Sequence, residues 1–224
     1  MRLSIIIPVL NEAQQLLRAC QGLASVRARG AEVIIVDGGS EDETLASAMG
    51  LGDRLVSSAM GRARQMNAGA RIARSEVLLF LHVDTALPDN ADRLIEAAMS
   101  DRRRIWGRFD VQIQGRPWTL RVVAALMNWR SRISGIATGD QAIFVTRSAF
   151  ESVGGYPDQP LMEDIELSKR LRALSPPVCL RAHAVTSGRR WESRGVWRTI
   201  ILMWRLRWAY WRGVPASVLA DRYE

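Results

Sequence analysis

Glu32-Val-Ile-Ile-Val-Asp-Gly-Gly39 is the stretch that decides the fold. Its apolar part has no polar position, so it reads as a strand buried on both faces, which a parallel sheet covered by helices provides. The acid comes at the end of the run, and two glycines follow it. Leu3-Ser-Ile-Ile-Ile-Pro-Val9 repeats the pattern upstream, and Val77-Leu-Leu-Phe-Leu-His-Val83 repeats it downstream with Asp84 at its end. Between these runs the apolar period changes to that of a helix: Ala13, Leu16, Leu17, Cys20, Leu23 and Ala24 follow Asn11, a candidate N-cap. Ser40-Glu-Asp-Glu43 reads as a capping box that starts the next helix. Arg54–Ser57 is a short strand, and Gly61–Arg74 a helix with Ala63, Met66, Ala70 and Ala73 on its inner side. Strands alternating with helices predict an α/β fold: a doubly wound, mixed, mostly parallel sheet flanked by helices. In such sheets ligands bind beyond the carboxyl ends of the strands. Asp37, Asp84 and Asp164, the last opening an amphipathic stretch, are therefore expected to face one nucleotide-activated ligand.

The second half is less regular. Ile105–Ile113 alternates like a half-exposed antiparallel strand, and Trp118–Ile133 has a helical period. Gln141–Val145 reads as a strand, Arg147–Val153 as a short helix, and Met162–Leu174 as a helix stopped by Pro176-Pro177. Val178–Ala182 reads as the last strand, before a basic, tryptophan-rich amphipathic helix over Val196–Arg212. We divide the chain into one domain over 1–195 and a helical segment over 196–224.

Hydrophobic residues at 48% and charged residues at 24% exclude a disordered chain and fit a globular one. The net charge of +8 is almost all arginine, Lys169 being the single lysine. That balance suits nucleic acid, an anionic membrane or a phosphorylated substrate, and does not choose among them. A basic nucleic-acid module gives no reason for acids at strand ends, so nucleic acid is the disfavoured partner. Cys20 and Cys179 read as small buried hydrophobes. The opening run is followed at once by Asn11 and Glu12 without a cleavage site, and no run reaches the ~20 apolar residues of a membrane span. The expected location is the cytoplasm, with a peripheral place on the inner membrane face if the tail docks there.

Ser4-Ile-Ile-Ile-Pro-Val-Leu-Asn-Glu12, Val36-Asp-Gly-Gly-Ser-Glu-Asp-Glu-Thr44, Gly61-Arg-Ala-Arg-Gln-Met-Asn-Ala-Gly-Ala70 and Glu163-Asp164 resemble, in order and spacing, the motifs of glycosyltransferase family 2. The length and Leu81-His-Val-Asp-Thr85 look most like a small bacterial branch of it. The resemblance implies a GT-A fold and an inverting enzyme that uses a nucleoside-diphosphate sugar, a UDP-sugar first. It implies nucleotide contacts from Pro8, Leu10, Asn11 and Glu12, and a base or ribose contact from Asp37 with Gly38 letting the ligand approach. Arg64 would steady the diphosphate, Asn67 would be a further nucleotide-sugar contact, and Asp140 would touch a donor hydroxyl. Val83 and Asp84 fall in the motif that binds Mg2+ or Mn2+. There His82 replaces the usual first aspartate; it contacts the metal or the sugar, or is a satisfied strand-end histidine, the reading we favour. His183 is the candidate second ligand. Asp164 would be the general base, oriented by Glu163, and Arg190 would stabilise the leaving group. Thr186 stands where processive members have glutamine, which weakens a polymerase reading.

Each residue also has a bland reading: Asp37 as a turn residue, Asn11 as a helix cap, Arg64 as a solvated helix face, Asp164 as ordinary N-terminal helix charge. The acceptor is a small molecule or a lipid-linked one. The tail either lies on an anionic membrane through 196–212 or packs on protein, including a homodimer partner. A nucleotidyltransferase would want a glycine- and arginine/lysine-rich loop where Pro8–Glu12 stands, and a dehydrogenase a Gly-X-Gly-X-X-Gly. A nucleotide-sugar-binding protein without turnover also fits the motifs.

Overall fold

The computed structural model describes residues 2–223; Met1 and Glu224 lie outside the described residues. Eight strands form one sheet: β1 (Leu3–Val9), β2 (Glu32–Asp37), β3 (Arg54–Ser57), β4 (Val77–Phe80), β5 (Thr85–Ala86), β6 (Trp106–Gln114), β7 (Phe144–Thr146) and β8 (Val178–Ser187). Their order is β3-β2-β1-β4-β7-β6-β8-β5. The pairs β3/β2, β2/β1 and β1/β4 are parallel, β4/β7 and β7/β6 antiparallel, β6/β8 parallel and β8/β5 antiparallel. This is the expected mixed α/β sheet.

Side-chain alternation sorts the core into two layers. Ile5, Ile7, Val33 and Ile35 face one way and pack with Leu16 and Cys20 of helix α1 (Ala13–Gly22), Val26 of α2 (Ala24–Ala28) and Ala48 of α3 (Thr44–Ala48). Ile6, Ile34, Val36, Leu78 and Phe80 face the other way. There they meet Ala63, Met66 and Ala70 of α4 (Arg62–Ile72). Gly69 lets α4 lie close: a Cβ there would sit 3.0 Å from Val36 Cγ2 and would collide with Ile6. Ile95 of α5 (Ala91–Ala98) joins the first layer, and Phe150 of α7 (Arg147–Ser152) and Leu167 and Leu171 of α8 (Glu163–Leu174) join the second.

Several local expectations need correction. Asn11 does not cap α1; it sits in the left-handed region at φ 54° and Glu12 occupies the cap position without a side-chain bond. Ser40 does not open a capping box, because its hydroxyl is taken by Asp37 and α3 begins at Thr44. β6 is not half exposed: Trp106–Val111 is buried, lying between β7 and β8 under α6 (Thr119–Ser134). The strand expected over Gln141–Val145 begins at Phe144, after a 3-10 turn at Gly139–Gln141. β8 continues past Ala182 to Ser187 because Thr186 pairs with Thr85. Cys20 is buried as expected, but Cys179 only partly.

After β8 come α9 (Arg189–Arg194), α10 (Val196–Trp211) and α11 (Ala216–Ala220). α10 is packed on two sides. Val196 and Ile200 meet Met127 and the inner face of α6, while Leu202, Met203 and Leu206 meet Leu161, Met162 and Ile165 at the start of α8.

Candidate active site

The site lies where β1, β2 and β4 end. Backbone N–H groups and hydroxyls tie their loops together: Asn11 N–H donates to Ser40 Oγ at 2.9 Å, Glu41 N–H to Asn11 Oδ1 at 2.9 Å, and Glu12 N–H to Thr44 Oγ1 at 2.8 Å. Beneath them the buried amide of Gln65 donates to the carbonyls of Val9 and Val36, at 2.8 and 2.9 Å. Gly38 leaves room for that amide, since a Cβ there would press on it at 2.9 Å. Asp37 is almost fully buried, and its carboxylate accepts from Gly39 N–H and from the Ser40 N–H and hydroxyl. It therefore shapes the turn, whatever ligand contact it also makes. Leu10 and Val83 are half-buried on the rim. Pro8 is buried within β1, opposite Val36.

Across the rim, Gly139 N–H donates to Asp164 Oδ2 at 2.8 Å, and Ile165 N–H to Asp164 Oδ1 at 2.7 Å. The 3-10 turn thus docks on the first turn of α8. His82 Nδ1 lies 3.4 Å from Asp140 Oδ1, and a Cβ at Gly139 would collide with the His82 ring. His82 therefore sits between the Asp140 carboxylate and the Gly139 backbone. On the far side Ser187 N–H donates to the Asp84 carbonyl at 3.2 Å, which fixes Asp84 against the end of β8.

The charges on this rim act on one another. Burial raises the Glu12 carboxyl above its usual range; Arg189 opposes this, Asp84 adds to it, and Arg62 opposes it. Burial also works against the Asp140 charge, but the His82 hydrogen bond and charge, with Arg62 and Arg190, leave its pKa lowered. Arg190 is lowered by burial and by Arg62, against the pull of Asp140 and Asp84. Glu163 is 5% exposed, 3.9 Å from Arg62, and pushed up to about 7 by burial and by the charge of Asp164. Three arginines, Arg62, Arg189 and Arg190, thus interleave with Glu12, Asp84, Asp140 and Glu163. Such a mixed rim suits an anionic phosphorylated ligand that also offers hydroxyl donors.

Two expected contacts are used elsewhere. Arg64 pairs with Asp158 at 2.8 Å on the surface, a weak exposed pair, while Arg62 points to Glu163. Asn67 clamps the Tyr156 backbone, donating to its carbonyl at 2.8 Å and accepting from its N–H at 3.0 Å. His183, the expected second ligand, lies apart from Asp84 along β8. It is exposed and four residues before Ser187, the residue beside Asp84, which is about 13 Å along a strand. Among the described residues no three His, Cys, Asp or Glu side chains gather as an ion cage. Asp84 offers one hard carboxylate, and Mg2+ commonly takes one or two together with water and substrate phosphates. The donor set therefore fits an ion that arrives with a diphosphate. Arg62 and Arg189 were not singled out in the sequence, although Arg62 stands in the quoted Gly61–Ala70 motif, because no local pattern shows which arginine of α4 or α9 faces the rim.

The family model described as "Glycosyl transferase family 2" matches residues 4–150. Curated relatives called "PGL/p-HBAD biosynthesis glycosyltransferase", from Mycobacterium bovis and Mycobacterium tuberculosis, are 39% identical over 102 residues, covering 42% of this chain. The chain spans 40% of the length of these relatives. Among solved structures, a mannosyltransferase from Pyrobaculum calidifontis in complex with GDP-Man and Mn2+ has TM-score 0.66 at 19% identity, covering 93% of this chain and 61% of its own. S. aureus TarS 1-349 in complex with UDP-GlcNAc gives 0.64 at 18%, with 84% and 58% covered. Glucosyl-3-phosphoglycerate synthase from M. tuberculosis with Mn2+ and UDP gives 0.61 at 15%, with 83% and 70% covered. At these identities the likeness is one of fold.

The Glu163 carboxyl generates a pH prediction. Its folded pKa of about 7 exceeds the reference 4.5, so the folded state binds the extra proton between them. Stability falls as pH rises through that window and the loss is complete above the folded value. Glu163→Gln is expected to flatten this slope, giving urea midpoints that differ from the unmodified protein at about pH 8 but not at about pH 4. An unchanged slope would remove the raised pKa.

Proposed function

The chain belongs to glycosyltransferase family 2, and on that footing we propose that it moves a sugar from a nucleoside-diphosphate donor, a UDP-sugar first, to an acceptor hydroxyl with inversion. The observation that carries this reading is the convergence of Glu12, Asp84, Asp140, Glu163 and Asp164 with three arginines at one strand-end rim. The solved neighbours that hold UDP, UDP-GlcNAc and GDP-Man support the donor class.

Asp164 takes the acceptor proton as the hydroxyl attacks the anomeric carbon. Its two backbone bonds fix the carboxylate, and each oxygen keeps a further lone pair for the incoming hydroxyl. Direct displacement needs no sugar bound to the enzyme, so one base suffices. Arg62, Arg189 and Arg190 receive the charge that builds on the departing diphosphate. Asp37 and Glu12 border the nucleoside side of the rim. Asp84 would hold Mg2+ or Mn2+, which neutralises diphosphate charge as a Lewis acid. A second reading gives the proton to Glu163, because a carboxyl near 7 is tuned to neutral pH.

The outer face of α10 supports a place on an anionic membrane surface. Trp197, Ile201, Trp204, Trp208 and Trp211 form one exposed stripe at helical spacing. Arg198, Arg205 and Arg212 run beside it at intervals of one heptad, with no acidic residue from 196 to 212. Exposed tryptophans suit the headgroup region, and each arginine near an anionic leaflet contributes about 1 kcal/mol. No helix is long and apolar enough to cross a membrane, so this face would lie along the surface.

Three outcomes follow for the full chain. Asp164→Asn abolishes transfer and keeps UDP-sugar affinity within about twofold, whereas Glu163→Gln retains activity with an altered pH profile; the reverse pattern would hand the base role to Glu163. Chelation weakens donor binding at least about tenfold in the unmodified protein and has little further effect in Asp84→Ala; equal binding throughout would remove the ion. Replacing Trp204 and Trp208 by serine abolishes co-flotation with phosphatidylglycerol vesicles, while unchanged flotation, or loss of a dimer instead, would assign the stripe to protein contact.

A further inference from the structure

After α10 the chain turns over residues 212–215, and α11 closes on α10 through Leu206 and Leu219, both buried. Beside that contact lies a groove of about 1090 Å³. Ligand pockets usually span ~300–1,000 Å³, so it can take a sizeable molecule. Its floor is apolar, made by Leu202, Leu206, Ala209 and Leu219. Thr199 adds no free donor there, because its hydroxyl donates to the Gly195 carbonyl at 2.8 Å. The edge is basic: Arg194, Arg198, Arg205 and Arg222 line the groove, and among the described residues no acid does. Arg194 Nη1 donates to the Tyr223 carbonyl at 2.6 Å, which draws it to the chain beside Arg222. Among the described residues Arg198, Arg205 and Arg222 make no ion pair and no side-chain hydrogen bond. Singly these are ordinary solvated arginines; what sets them apart is the apolar cleft they surround. Ile201 and Trp208 line the groove and are 57% and 61% exposed, so it opens onto the tryptophan stripe. At Tyr223 it adjoins the donor rim, since the Arg190 guanidinium lies over that ring, 4.9 Å from its centroid.

We propose that this groove binds one phosphate-bearing lipid, with its acyl part on the apolar floor and its phosphate among Arg194, Arg198 and Arg222. The lining calls for a ligand apolar at one end and anionic at the other. Free phosphate would leave the floor unused, and a neutral lipid would leave the cations unused. Guanidiniums make charge-assisted bonds to phosphate oxygens, and basic pockets between helices hold lipid headgroups. Arg205 lies one heptad beyond Arg198, about 10 Å along the helix, and keeps the mouth attractive to an anionic leaflet. A second copy of this chain would bring the same segment, without an acid from 196 to 212, like charge against like. The site goes beyond the surface docking of α10: there a face lies on many headgroups, whereas here a single lipid is held between helices. The membrane reading supplies only its route of entry, and the transferase reading is not needed.

The test uses dihexanoyl phosphatidic acid on the full chain, below its micelle concentration so that no bilayer is needed, read by calorimetry and tryptophan fluorescence. Dihexanoylglycerol and inorganic phosphate serve as the two half-ligands, and the whole lipid should bind at least about tenfold tighter than either. Replacing Arg198 and Arg222 together by glutamine should weaken lipid binding at least about tenfold. Arg71→Gln, which removes an exposed charge on α4 instead, should keep it within about twofold. Ala209→Trp fills the groove and should abolish lipid binding with all four arginines in place, an unchanged far-UV spectrum showing that the variant is folded. Either half-ligand binding as tightly as the lipid would overturn the proposal, and so would unaltered lipid affinity in the double glutamine variant or in Ala209→Trp. A dimer that Ala209→Trp dissociates and lipid does not would give the groove to a second copy and do the same. Lipid binding without vesicle flotation would withdraw the membrane face and leave the groove standing. Lipid binding without any UDP binding would withdraw the transferase reading and leave it standing too.

Discussion

The buried amide of Gln65 holds the site together from below. It bridges the carbonyls of Val9, the last residue of β1, and Val36, the last but one of β2, near the end of the parallel ladder. Buried backbone groups need partners, and at a strand end those partners must come from a side chain or a turn. Gln65 comes from α4, which lies close because Gly69 and the neighbouring alanines let it. With the two strand ends pinned, the loops that leave them are short and cross-linked, and Glu12 and Asp37 acquire fixed positions.

Charge organisation is the second constraint. The rim brings several carboxylates close together, a repulsive arrangement unless cations interleave. Arg62, Arg189 and Arg190 do this on the donor flank, coming from α4 and α9, elements far apart in the chain. The balance is uneven, and its clearest sign is Glu163, buried beside Asp164 and raised to about 7. Elsewhere, on α6, Arg130 Nε and Nη2 are left without a hydrogen-bond partner.

Much of the fold was legible because it rests on local patterns. Runs such as Glu32–Val36 admit no face exposed to water, and the small-residue spacing of Ala63, Met66 and Ala70 admits one close packing face. The errors cluster where a side chain had two local uses. Asn11 and Ser40 both fit helix caps, yet each bonds across to another loop, a choice made by residues about thirty positions away. β6 looked half exposed because its alternation cannot register that α6 covers it. Arg64 and Asn67 matched a motif, but the turn of α4 aims Arg62 at the rim and leaves Asn67 on the Tyr156 backbone.

The sequence alone determined the α/β architecture, the strand-end position of the acids and the family, since hydrophobic period and motif order are properties of contiguous residues. Tertiary structure alone decided which cations face those acids, and that the Gly139 turn docks on Asp164. The physical reason is range. Burial pattern is set within a few residues, whereas desolvation and charge pairing depend on whichever distant segments pack into the same few ångströms.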